Sequence, residues 1–108
     1  MRLAALSLAF AGAAQAAPLA SVTYVCDGGA VLRAAYLQPA QGDGFAVIDW
    51  QGRLIPMAAI RVASGAGYAD ADGTLVWRTR GDEGFLVAAD PEQASGETVV
   101  LADCVASR

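Results

Sequence analysis

The chain alternates short runs of apolar, β-branched and aromatic residues with polar turns rich in Gly, Asp and Pro. Runs of this length bounded by turn residues are typical of β-strands. No window after Ala17 has the periodicity of an amphipathic helix. The pattern predicts strands at residues 21–26, 30–37, 45–50, 54–60, 68–70, 74–78, 84–88 and 97–104.

The segments between these runs have the composition of hairpin turns and short loops. The predicted turns are Asp27-Gly28-Gly29, Gln51-Gly52-Arg53, Asp72-Gly73 and Arg80-Gly81-Asp82, with polar loops at residues 39–44 and 91–96. Pro56 lies inside a predicted strand, where it indicates a bulge or an edge position because proline cannot donate a ladder hydrogen bond. Seven or eight antiparallel strands in about ninety residues favour an all-β fold, a small barrel or sandwich with few exposed edges.

The first residues have the features of an export signal. Arg2 supplies a positive charge, an apolar run follows, and Ala14-Gln15-Ala16 has the small-x-small pattern of a cleavage site. We therefore expect residues 1–16 to be a signal peptide and residues 17–108 to form one domain, periplasmic or secreted. No cysteine lies near the cleavage site to carry a lipid, so no membrane anchor is expected.

Two cysteines, Cys26 and Cys104, lie near the two ends of the expected mature chain. In an oxidising exported compartment they are expected to form a disulfide. A closed loop of about 80 residues should stabilise the fold by roughly 4 kcal/mol in the chain-entropy model. The chain has no His and no Cys-x-x-Cys, so no metal site, redox centre or other cofactor is expected.

Charge narrows the class of partner. Without the signal peptide, six arginines oppose eleven acidic residues, giving a net charge of −5, and the chain contains no lysine. Nucleic acid is a poor partner because phosphate contacts need clustered cations. The acidic excess would steer the chain toward a basic protein; the alternative is that it serves only to keep an exported protein soluble.

Candidate catalytic groups lack their partners, so we expect no catalytic residue and no enzyme. Ser64 has Val62 where a nucleophile elbow needs Gly, and no His is available as a base. Asp82 and Glu83 are adjacent, so on an extended segment they point to opposite faces. Asp70 and Asp72 are better explained by a hairpin turn than by a calcium loop, which would need a glutamate at its twelfth position.

Three segments together carry a resemblance to a known family: Tyr24-Val25-Cys26, then Ala63-Ser64-Gly65-x-x-Tyr68, then Arg80-Gly81-Asp82-Glu83, with Cys104 closing the pattern. The chain resembles the bacterial inhibitors of C-type lysozyme, in their periplasmic and membrane-bound forms. The resemblance implies an eight-stranded antiparallel barrel that inserts one edge into the substrate cleft of lysozyme. It implies the lysozyme-binding residues Ser64, Gly65, Tyr68, Arg80 and Gly81, with Ser64 and Arg80 placed against the catalytic carboxylates of the target.

Two positions depart from the family pattern. Gly67 stands where the motif usually has Arg, and Arg80 replaces the usual Lys, which changes a point charge into a planar fork. From the residues alone, Tyr68 and Trp77 are expected in the core or in half-buried strand positions. The alternative function is a periplasmic binding or envelope-structural β-domain without inhibitory activity. A monomer or a weak homodimer is expected in either case.

Overall fold

A computed structural model describes residues 19–90 and 96–107 of the chain. The eight strands are β1 Leu19–Val25, β2 Val31–Leu37, β3 Phe45–Trp50, β4 Arg53–Ile60, β5 Ala66–Ala69, β6 Leu75–Arg80, β7 Glu83–Ala89 and β8 Glu97–Ser107, with a short 3₁₀ turn at Asp27–Gly29. Every predicted strand is present, although β5 begins earlier and β8 ends later than expected. The expected signal peptide lies outside the described residues.

The strands form a closed antiparallel barrel in which each strand pairs with the next along the chain. The closing pair joins β1 to β8 through Thr23 opposite Ser107, Tyr24 opposite Ala106 and Val25 opposite Val105. Of the two folds that the sequence left open, the barrel is confirmed. Closure removes the unpaired sheet edges that a small open sheet would leave. Within the described part of the chain, no helix has the length and apolar character that a membrane span requires.

Of the two alternatives predicted for Pro56, a bulge or an edge position, the structure has the edge position. Pro56 lies opposite Val47 in an unbroken β3–β4 register, so no bulge forms there. The β4–β5 pairing begins only at Ala58, so Pro56 lies on the part of β4 that has a partner on one side. Proline is tolerated there because its missing N–H removes no hydrogen bond from a second neighbour.

The barrel interior is filled by side chains at alternate strand positions. Trp77, Leu32, Ile48 and Leu86 are fully buried, and among the described residues no charged side chain is buried. The Trp77 ring meets Tyr24 edge-on, with centroids 5.0 Å apart. The Trp77 indole N–H donates to the Tyr36 hydroxyl at 2.8 Å, and the Tyr36 and Tyr24 hydroxyls lie 2.7 Å apart. The polar tips of the core aromatics are therefore satisfied inside the barrel.

The predicted disulfide is confirmed. Cys26, next to the 3₁₀ turn, is bonded to Cys104 in β8 across 78 residues of sequence. Both side chains are buried. The bond ties the turn after β1 to β8, which is the strand that closes the barrel on β1.

Candidate functional site

A groove of about 540 Å³ lies on the outside of the barrel over β6, β7 and β8. Ser64, Arg78, Arg80, Phe85 and Asp103 are among the residues that line it. The alternation of side chains along β6 explains the two arginines. Because Trp77 points into the core, Arg78 and Arg80, which lie one and three positions after it in the strand, project outward.

One wall of the groove is the connection between β4 and β5, residues 61–65, which carries Ser64. Gly65 adopts a left-handed backbone conformation with φ +74°. A Cβ at this position would collide with the Thr79 carbonyl oxygen and lie 3.3 Å from the Arg80 Cβ. Glycine therefore lets the connection that carries Ser64 lie directly against the end of β6.

Gly67, one of the two departures from the family pattern, is buried at the start of β5. A Cβ there would lie 2.5 Å from the Val62 Cγ1 and 3.2 Å from the Ile60 Cγ1. Val62 thus fills the space that a side chain at position 67 would need. The absence of a side chain at Gly67 therefore leaves room for Val62 to pack against this wall of the groove.

Arg80 ends β6, opposite Glu83 at the start of β7. The chain turns between them through Gly81, whose φ of +61° favours glycine. Within the described residues, the Arg80 side chain makes no hydrogen bond and no ion pair, and it is exposed to solvent. Its guanidinium N–H groups are available to acceptors on another molecule.

Of the five predicted residues, Ser64 and Arg80 line the groove, whereas Gly65, Tyr68 and Gly81 do not. Gly81 borders a smaller cavity of about 250 Å³ at the barrel wall, together with Tyr68. The Tyr68 ring packs on Tyr36, with centroids 5.6 Å apart, and Tyr68 pairs with Trp77 across β5 and β6. Burial raises the pKa of the Tyr68 phenol above its usual value. The half-buried strand position expected from the residues alone is confirmed, and Tyr68 contacts β6 from inside the barrel.

Arg78, Phe85 and Asp103 are among the groove residues that were not identified from the sequence. Arg78 could have been found, because it precedes Arg80 by two residues in the same strand and must share its face. Asp103 could not. It lies in a β-bulge where one residue of β7, Phe85, opposes two of β8, Ala102 and Asp103, and its φ is +50°. No residue pattern in this strand predicts such a bulge.

The Asp70 side chain has a structural role. Its carboxylate accepts hydrogen bonds from the backbone N–H groups of Thr74 at 2.9 Å and Leu75 at 3.1 Å. These bonds order the β5–β6 hairpin, as predicted. Among residues 19–90 and 96–107, no three His, Cys, Asp or Glu side chains come together in an arrangement that could hold a metal ion.

Comparison with known proteins identifies both a family and a fold. Residues 24–95 match the family described as membrane-bound lysozyme-inhibitor of c-type lysozyme. Among solved structures, the chain is similar to a periplasmic lysozyme inhibitor of C-type lysozyme from Salmonella typhimurium. The two share 27% sequence identity with a TM-score of 0.70, and the match covers 84% of this chain and 100% of the other. No curated protein sequence matches the chain.

Proposed function

This chain belongs to the family of membrane-bound lysozyme inhibitors of C-type lysozyme, and from that premise we propose that it binds a C-type lysozyme and blocks its substrate cleft. The inhibitor acts by binding rather than by catalysis. In this proposal the Ser64 wall and the Arg80-Gly81 turn enter the cleft together, and the cell-wall glycan is excluded. The site of action is the periplasm or the cell envelope.

The target supplies acidic groups that match this site. A retaining glycosidase such as C-type lysozyme holds a carboxylic acid and a carboxylate about 5 Å apart on either side of the scissile bond. Arg80 carries five N–H donors in a planar fork that can bind a carboxylate through two parallel hydrogen bonds. The Ser64 hydroxyl can donate to an ionised carboxylate or accept from a protonated one. Ser64 and Arg80 can therefore bind the two carboxyl groups of the target whether one of them is protonated or both are ionised.

The observation that carries the proposal is that Ser64 and Arg80 line one groove although sixteen residues separate them in the sequence. The contact of Gly65 with β6 sets their relative position. A rigid arrangement of this kind reduces the entropy that binding must overcome. Arg80 is also exposed and makes no ion pair among the described residues, so binding does not first require an internal pair to break.

Long-range charge favours the encounter. The chain has a formal net charge of −4, and acidic proteins associate faster with cationic partners at low ionic strength. Steering of this kind acts before contact and accelerates association more than it strengthens the final complex. Binding should therefore weaken as salt concentration rises.

The test is clearing of a bacterial cell-wall suspension by a C-type lysozyme, with the inhibitor added at increasing molar ratio. The wild-type chain should prevent clearing near equimolar protein. Arg80→Ala should lose at least about 2 kcal/mol of binding energy, roughly a thirtyfold weaker inhibition constant. Arg33→Ala is the matched control, since Arg33 is an exposed strand arginine on β2, away from the groove, and its loss changes the net charge equally.

Unchanged clearing at a large molar excess of the wild-type chain would refute the proposed function. Equal inhibition by the wild type and by Arg80→Ala would leave the inhibition intact but refute the role of Arg80. Retention of the chain on immobilised lysozyme at low salt, with release at high salt, provides an independent measurement of binding.

A further inference from the structure

The groove contains a second arginine that already holds a carboxylate. Arg78 lines the groove two residues before Arg80. Its Nη2 atom lies 3.4 Å from the Oε2 of Glu97, which is at the start of β8. Its guanidinium carbon lies 5.9 Å from the centroid of the Phe85 ring. The cation is therefore held from two sides, by an acidic side chain and by an aromatic face.

The pair between Arg78 and Glu97 is incomplete. The Arg78 Nε atom is buried, and within the described residues it has no hydrogen-bond partner. Nε and Nη2 lie on the same edge of a guanidinium, and a carboxylate placed on that edge can accept from both. Glu97 accepts a hydrogen bond from Nη2 alone, at the long distance of 3.4 Å. A buried N–H without an acceptor is unfavourable, so a better-placed carboxylate would gain more from this edge than Glu97 does.

Partial exposure of both side chains allows such an exchange once Arg78 turns its buried Nε toward the incoming carboxylate. The side chains of Arg78 and Glu97 are 36% and 46% exposed. Ion pairs at this level of exposure are weak because water screens the charges and both side chains lose freedom. An incoming acidic group can replace Glu97 at small cost, and the released Glu97 carboxylate is solvated in the surrounding water.

We propose that Arg78 is a second carboxylate-binding residue for the lysozyme cleft, and that Glu97 is an internal competitor that occupies it in the free inhibitor. This inference rests on the proposed function. Arg78 and Arg80 share one face of β6, with a spacing of about 7 Å along the strand. The two carboxyl groups of the target are about 5 Å apart, so Arg78 and Arg80 can bind one each while the Ser64 hydroxyl adds a hydrogen bond to either. Among the residues that the structure describes, the groove thus presents one cation without an ion pair, Arg80, and one whose carboxylate must be displaced, Arg78.

The experiment measures the dissociation constant for a C-type lysozyme by calorimetry for Arg78→Gln, Arg78→Lys, Glu97→Gln and the double variant Arg78→Gln/Glu97→Gln. The second exposed ion pair of the barrel, Arg33 with Asp49 at 3.9 Å, supplies matched controls on β2 and β3. Arg33→Gln and Asp49→Asn change the net charge by the same amounts as the corresponding groove variants. A difference in dissociation constant between a groove variant and its control therefore does not come from the change in net charge.

Arg78→Gln should weaken binding about tenfold or more relative to Arg33→Gln. Arg78→Lys should recover only part of that loss, because an ammonium lacks the planar two-donor edge. Glu97→Gln should strengthen binding about two- to fivefold relative to Asp49→Asn, the range expected when an exposed competing pair is removed. In the double variant the gain from Glu97→Gln should disappear, since the cation for which Glu97 competes is gone.

The outcomes separate the two proposals. If the wild type binds and Arg80→Ala weakens it, while Arg78→Gln matches Arg33→Gln, the role of Arg78 is refuted and the proposed function stands. If Glu97→Gln binds no better than Asp49→Asn, or keeps its gain in the double variant, the competition is refuted. If the wild type does not bind any C-type lysozyme tested, both proposals are overturned. Thermal unfolding of each variant identifies any loss that comes from misfolding instead.

Discussion

The contact between Gly65 and β6 provides the sharpest test of how this site is built. Gly65→Ala adds a single methyl group at φ +74°, where it meets the Thr79 carbonyl oxygen. Gly73 is a matched control in the β5–β6 turn, at the other end of β6 from Arg80. Its φ is +72°, and a Cβ there has no heavy atom within 4 Å. The two substitutions share the backbone strain and differ only in the collision.

The left-handed conformation costs an alanine roughly 1–2 kcal/mol at either position. Gly65→Ala carries a further cost of about 1–3 kcal/mol, the usual range for forcing an extra group into a packed contact. In a domain of this size each kcal/mol lowers the melting temperature by about 4–8 °C. Thermal unfolding should therefore show a clearly larger drop for Gly65→Ala than for Gly73→Ala.

Lysozyme inhibition should distinguish Gly65→Ala from Gly73→Ala even more clearly than thermal unfolding does. Relief of the collision moves residues 61–65 away from β6 and takes Ser64 out of its place beside Arg80. We expect Gly65→Ala to inhibit lysozyme at least about tenfold more weakly, measured well below its melting temperature, while Gly73→Ala inhibits like the wild type. Equal melting temperatures and equal inhibition constants for the two variants would refute the argument that Gly65 positions Ser64.

Three further substitutions or conditions test the barrel that supports the groove. Gly84→Ala should lose about 1–3 kcal/mol in chemical denaturation, because its Cβ would lie 2.7 Å from the Trp77 Cη2; an unchanged midpoint would contradict this. Tyr36→Phe removes the acceptor of the Trp77 indole N–H and should cost about 1–3 kcal/mol, with a blue-shifted or broadened tryptophan emission as the companion signal. Burial raises the pKa of Tyr36 above its usual value of about 10, so the folded state keeps a proton that the unfolded state loses, and stability should fall as pH rises above about 10. That alkaline loss should be smaller in Tyr36→Phe. Reduction of the bond between Cys26 and Cys104 should remove roughly 4 kcal/mol, and a reduced chain of unchanged stability would contradict the loop-closure argument.

Much of the barrel could be predicted from the sequence because its strands and turns are specified by residues that are close together in the chain. Alternating apolar residues bounded by Gly and Asp specify the strands, and hairpin turns join neighbours in the order of the chain. The disulfide was predicted because the chain has only two cysteines and an oxidising compartment was expected. The choice between barrel and sandwich was different, since it depends on whether β1 meets β8, a pairing between the two ends that no local pattern encodes. The resemblance to the inhibitor family supplied that choice.

The groove was less predictable because it depends on contacts between distant segments. The sequence identified Ser64 and Arg80 as separate turn residues, and nothing local indicates that Gly65 lies against Thr79. The bulge that carries Asp103 is likewise a register shift between β7 and β8. Strand periodicity could have supplied Arg78, which shares a face of β6 with Arg80. The ion pair with Glu97 could not, because it spans from β6 to β8 across β7.

The register of β6 connects the stability of this protein to its proposed activity. Because side chains alternate between the two faces of a strand, a slip of one residue would place Arg78 and Arg80 in the core and expose Trp77. Two unpaired guanidiniums inside a closed barrel would be prohibitively costly, and the hydrogen bond from Trp77 to Tyr36 would be lost. The space for the Trp77 ring is in turn provided by Gly84 on β7. Core packing at Trp77 thus selects the register that faces both arginines outward, so variants that loosen the ring should impair lysozyme binding without any change to the groove residues themselves.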